Sequence, residues 1–76
     1  MNYVIEAFDK NTEALVFEIP IPDGNVENLK SIMAWSSIED SYYGYDLDRL
    51  QLSKLEALLG RSIFDPGYDF QLGCYA

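Results

Sequence analysis

A single proline restricts how this chain can be built into a sheet. Residues 14–21 read Ala-Leu-Val-Phe-Glu-Ile-Pro-Ile, and Leu15, Phe17, Ile19 and Ile21 alternate onto one face, the period of a strand. Pro20 has no amide proton to give to a ladder, so its strand belongs at a sheet edge. Residues 3–8, Tyr-Val-Ile-Glu-Ala-Phe, are β-branched and aromatic and read as another strand. The polar stretch Asp9–Glu13 between the two runs is a short turn, which makes them an antiparallel hairpin. A third run, residues 68–75, alternates Tyr68, Phe70, Leu72 and Cys74 onto one face after the turn Asp65-Pro66-Gly67. With the Pro20 strand at an edge, the free side of the first strand is where this last strand pairs.

Two helices are expected between the hairpin and the last strand. Val26, Leu29, Ile32 and Met33 follow at helical spacing after Pro22-Asp23-Gly24, with Asn25 as the cap whose oxygen accepts from a first-turn amide. Trp35 closes that segment. The second helix starts at Asp48, which makes a capping-box pattern with Gln51 three residues on. Its stripe is Leu52, Leu55, Leu58 and Leu59, with Leu50 and Ala57 on the opposite side, and Gly60 stands just past its end. The order strand, strand, helix, helix, strand predicts a two-layer α+β domain spanning residues 1–76, with a three-stranded sheet and two helices on one face.

A chain of 76 residues is one domain, and at this length only about 60% of the unfolded surface is buried. The apolar share of 49% against 24% charged is that of a folded domain. No apolar run reaches the roughly 18 residues of a membrane span, and no secretory leader is expected from a start that places Glu6 so early. The one cysteine, Cys74, cannot form an intrachain disulfide and reads as a small apolar residue in the last strand. A disulfide-free small domain points to the cytosol.

Chemistry is sparse. There is no histidine, so neither a histidine-activated nucleophile nor a zinc site of histidine and cysteine can be assembled. Ser36, Ser37 and Ser41 sit in no recognised nucleophile elbow. A calcium loop started at Asp23 fits at Asn25 and Glu27 but has Asn28 for the glycine and Ala34 for the final glutamate. Started at Asp40, it fails at Tyr42 and Gly44. The chain is read as a non-enzyme with no cofactor and no metal.

The formal net charge of −8, from 13 acidic and 5 basic residues, disfavours nucleic acid and anionic membranes as partners, since phosphate binding needs a basic surface. It suits a basic protein, whose encounter it would speed. The densest cluster is "SSIEDSYYGYDLDR", residues 36–49, in which Arg49 is the first basic residue. Tyrosines supply interface area with few rotors to freeze, and carboxylates accept paired hydrogen bonds from arginine. Glu39, Asp40, Tyr42, Tyr43, Tyr45, Asp46 and Asp48 are therefore the candidate partner-binding residues. The competing structural role for the tyrosines is to fold back and cap a small core.

The opening "YVIEAFD" with "FEIPIP", the "YDLD" leading into a leucine-rich helix that ends at Gly60, and the closing "FDPGYDFQLGCYA" together span most of the chain. In these patterns it resembles the small immunity proteins of bacterial polymorphic-toxin systems, including contact-dependent growth inhibition. The resemblance implies a cytoplasmic, single-domain, non-catalytic inhibitor that binds one cognate toxin domain, often a nuclease, by covering its active site or substrate groove. Two other readings share the sequence: a nucleic-acid mimic directed at a DNA-binding protein, and a small self-assembling structural or regulatory subunit.

Overall fold

The computed structural model describes residues 2–36 and 44–75. Within them the order is β1 (Asn2–Asp9), β2 (Leu15–Ile21), α1 (Val26–Met33), β3 (Tyr45–Asp46), α2 (Arg49–Leu59) and β4 (Tyr68–Tyr75). The sheet has four strands in the order β2-β1-β4-β3, with every neighbouring pair antiparallel. This corrects the expected three-stranded sheet and its β-β-α-α-β order, although the two-layer α+β class stands. The extra strand is Tyr45–Asp46, opposite Leu72 and Gln71. Two residues are too few to show any period, so the strand exists only through its pairing with β4. The Leu47 amide extends that pairing by donating to the Phe70 carbonyl at 2.9 Å.

Pro20 lies opposite Val4 in the edge strand, and β4 pairs along the whole of β1, from Asn2–Tyr75 to Asp9–Tyr68. The hairpin turn is tied by Asp9. Its Oδ1 accepts from the amides of Asn11 and Thr12 at 2.7 and 3.0 Å, and these two donors hold the carboxyl below its ordinary range, Thr12 contributing most. In β2 the pairing runs Ala7–Phe17 and then Phe8–Leu15, skipping Val16. This bulge corrects the expectation that Leu15 shares a face with Phe17, Ile19 and Ile21. One unpaired residue shifts the alternation, so Leu15 sides with Phe8 and is 46% exposed.

The helices differ in how their ends are held. At α2, Asp48 Oδ1 accepts from the Gln51 amide (2.7 Å) and Gln51 Oε1 from the Asp48 amide (2.9 Å), a reciprocal capping box. Gly60 ends the helix with φ +67°, a conformation glycine adopts without steric cost. At α1, Asn25 makes no side-chain cap, contrary to expectation. Its side-chain Nδ2 donates to the Pro22 carbonyl and its Oδ1 accepts from the Asn28 side chain. Beyond α2, Glu56 Oε2 accepts from the amides of Ile63 and Phe64, which straps the return segment to the helix.

One core lies between the sheet and the helices. Tyr3, Ile5 and Ala7 of β1, Ile19 and Ile21 of β2, Phe70 and Leu72 of β4, Leu29 of α1, Leu52 and Leu55 of α2, and the flanking Trp35 and Ile63 are all buried in it. Leu58, Leu59, Tyr68 and Cys74 pack partly buried against this group, in line with the helix stripe and last-strand alternation read from the sequence. Leu50, at 65% exposed, and Ala57 point away from it. No helix among the described residues is long and apolar enough to cross a membrane.

Candidate protein-docking face

Strand alternation determines what the other side of the sheet displays. If Tyr3, Ile5 and Ala7 face the helices, then Val4, Glu6 and Phe8 face away, and residues directly opposite them share that side. One row across the sheet is therefore Glu18, Glu6, Gln71 and Asp46, read from β2 through β1 and β4 to β3. The next row is Leu15, Phe8 and Asp69. On the other flank lie Pro20, Val4 and Gly73. Neighbouring strands are about 4.8 Å apart, so the first row spans about 15 Å.

Among the described residues this face carries four carboxylates, Glu6, Glu18, Asp46 and Asp69, and none of their strands contains a lysine or arginine. The five cations lie elsewhere: Lys30 in α1, Arg49 and Lys54 in α2, Arg61 just after it, and Lys10 in the hairpin turn. Among the described residues the only ion pair joins Lys30 to Glu27 on α1, at 3.8 Å. The Arg49 guanidinium sits 3.5 Å from the centre of the Phe64 ring, in a recess that Lys10 and Asp69 also line. Glu6 and Glu18 are directly opposed like charges, an arrangement that destabilises a sheet. The Glu6 side chain leans over Gly73, where an added Cβ would lie 2.6 Å from its Oε1.

Two shallow hollows mark the face. Phe8, Asp9, Glu13, Asp69 and Gln71 line one of about 360 Å³. Asp46, Leu47, Asp69, Phe70 and Gln71 line another of about 380 Å³, so Asp69 and Gln71 separate the two. Both are open and acid-rimmed, which suits long cationic side chains better than an enclosed small molecule. Among the described residues no group of acidic or thiol side chains converges as a metal would require.

The binding segment expected from the sequence is divided. Glu39, Asp40, Tyr42 and Tyr43 lie outside the described residues. Tyr45 faces the helix side of the sheet, partly buried, with its ring 5.7 Å from that of Trp35, the core-capping arrangement. Asp48 is engaged in the capping box of α2. Asp46 alone of the described acids in that segment joins the open face, where it completes the row begun by Glu18 and Glu6. Sequence reasoning missed Glu6, Glu18, Asp69 and Phe8 as surface groups. The signal was present as the outward parity of each strand run, combined with the absence of any cation within them.

No curated protein and no solved structure matches the chain. A family model described as "Domain of unknown function (DUF7683)" matches residues 2–73, and the chain belongs to that family.

Proposed function

We propose that the chain is an immunity protein, acting in the cytosol of the toxin-producing cell by binding and neutralising a cognate basic toxin domain, such as a nuclease, without catalysing a reaction. The observation that carries this reading is the open sheet face, which among the described residues has four carboxylates, no strand cation and an opposed Glu6–Glu18 pair that folding alone does not favour. Such a face complements a phosphate-binding groove: carboxylates replace the phosphates that the toxin's lysines and arginines are arranged to hold. Blocking that groove needs only occupancy, which fits a chain with no histidine.

The test is co-purification with a basic toxin domain encoded beside the gene for this chain. The expected result is a stable complex and loss of toxin activity, with an association rate that falls steeply between low and high salt because exposed charges are screened over about 8 Å at physiological ionic strength. A neighbouring domain that passes through unbound and stays active overturns the reading. The same row of carboxylates on one face also fits a nucleic-acid mimic. That second reading predicts capture of a host or phage DNA-binding protein, competed off by duplex DNA.

A further inference from the structure

β2 stands at the edge of the sheet among the described residues, and it reads Leu-Val-Phe-Glu-Ile-Pro-Ile. Five apolar residues of high β-propensity are interrupted by one charge and one proline. A run of this kind at a sheet edge is a template for pairing with another chain. Its first two residues, Leu15 and Val16, are 46% and 48% exposed. The ladder shows which backbone groups of β2 point outward. In an antiparallel ladder, pairs that exchange two hydrogen bonds alternate with pairs that exchange none. Pro20 has no amide proton, so its pair with Val4 is of the second kind, and its backbone points away from β1. Glu18, opposite Glu6 two residues back, has the same parity and directs its N–H and its carbonyl outward. The skipped Val16 ends this regularity. The Glu18 amide is therefore the donor that the regular part of this edge presents, and the Pro20 position supplies none.

We propose that β2 is a guarded pairing edge, at which Glu18, Pro20 and the bulge at Val16 keep a second copy of this chain from adding its own β2. A two-fold antiparallel pairing is self-complementary, and one that uses the Glu18 amides sets Glu18 opposite its counterpart. Glu6 then stands beside each Glu18 on the same face, so Glu6 and Glu18 of both copies fall in one row. Like charges directly opposite one another destabilise a sheet, and here the penalty acts across the new junction as well as within each copy. Pro20 withholds the next donor on each side. The bulge bends the end of the strand that carries exposed Leu15 and Val16. A charge and a proline at a non-hydrogen-bonding position are the devices that interrupt a β-prone run and stop edge-to-edge growth. This role of Glu18 does not depend on a toxin and is separate from the proposed function.

Sedimentation equilibrium of the parent, Glu18→Thr, Pro20→Thr and the double variant tests the proposal, with circular dichroism to show that each is folded. The parent is expected to stay monomeric, and the double variant to self-associate at least about tenfold more tightly, because each relieved charge contact and each restored donor acts twice in a two-fold dimer. Asp46→Asn is the control: it removes the same charge from the same face, away from this edge, and is expected to stay monomeric. Hydrogen exchange on the associated form locates the contact, with slowing expected at the position-18 amide and its neighbours in β2. Should the double variant not fold, the gentler pair Glu18→Gln with Pro20→Ala removes the same charge and restores the same donor, and the same results are expected of it. A parent that already associates through β2, a folded double variant that stays monomeric, an Asp46→Asn variant that associates as tightly, or slowed exchange confined to other elements overturns the proposal.

Discussion

The sheet face under the helices and the face turned away from them are built from the same four strands, one residue in two. On the covered face stand Tyr3, Ile5, Ala7, Ile19, Ile21, Phe70 and Leu72, all buried. On the open face stand Glu6, Glu18, Asp46, Asp69 and Gln71, with Leu15 and Phe8 at one end. Burial explains the first set: each large apolar side chain removed from water contributes about 1.5–3 kcal/mol. It does not explain the second, because a solvent-facing sheet is served as well by mixed charges, and cross-strand pairs of opposite sign stabilise it. Single-sign charge on one face is a property that folding did not require, and it is the reason to look there for a partner.

Breaking the covered face should have the largest effect. Leu55 is fully buried, and Leu55→Ala is expected to cost about 2–5 kcal/mol in chemical denaturation, enough to unfold much of a domain this small. An unchanged midpoint would mean that the two faces of α2 are wrongly assigned. The strap beyond α2 comes next. The amides of Ile63 and then Phe64 hold the Glu56 carboxyl below its ordinary range, with Arg49 adding a smaller contribution. A lowered folded-state value gives stability that is complete above the ordinary glutamate range and is lost as pH falls through the lowered value. Glu56→Gln should therefore be less stable than the parent near neutrality, and the gap should close on acidification. A gap independent of pH would show that the charge is not what ties the loop.

A smaller loss, about 1 kcal/mol, is expected for Asp48→Ala, which removes one half of the α2 capping box. The matching change at Asn25 of α1 tests the contrast, since Asn25 caps no backbone amide and Asn25→Ala should cost less. On the open face the sign reverses. Glu18→Gln relieves the opposed pair with Glu6 and is expected to raise stability by a few tenths of a kcal/mol at low salt. The gain should vanish in about 1 M salt, where screening acts over only about 3 Å. The same variant should slow association with a basic toxin domain. A stability loss at low salt would show that Glu18 makes a favourable interaction and that the open face is not under repulsion.

The parts legible in the sequence are those held by local chemistry. Asp48, Gln51 and Gly60 mark the ends of α2 because caps and left-handed exits involve residues a few positions apart. Pro20 places β2 at the edge because one missing amide proton is a property of one residue. The alternation of Tyr68, Phe70, Leu72 and Cys74 gives the buried side of β4 for the same reason. Asn25 shows where such reading stops, since its favoured cap bond lost to the Asn28 side chain and the Pro22 carbonyl.

Sequence alone determined both helices, three strands, the edge position of β2 and, Leu15 apart, the inward side of the core. Tertiary structure decided the rest. The two residues of β3 become a strand only when Leu72 and Gln71 are beside them. The skipped Val16 turns Leu15 outward only when Ala7 and Phe8 fix the pairing. Glu18, Glu6 and Asp46, at three separate places in the chain, line up only through the ladder register. Hydrogen bonds between distant strands set that register, and a side chain's neighbours across a sheet are invisible until it is set.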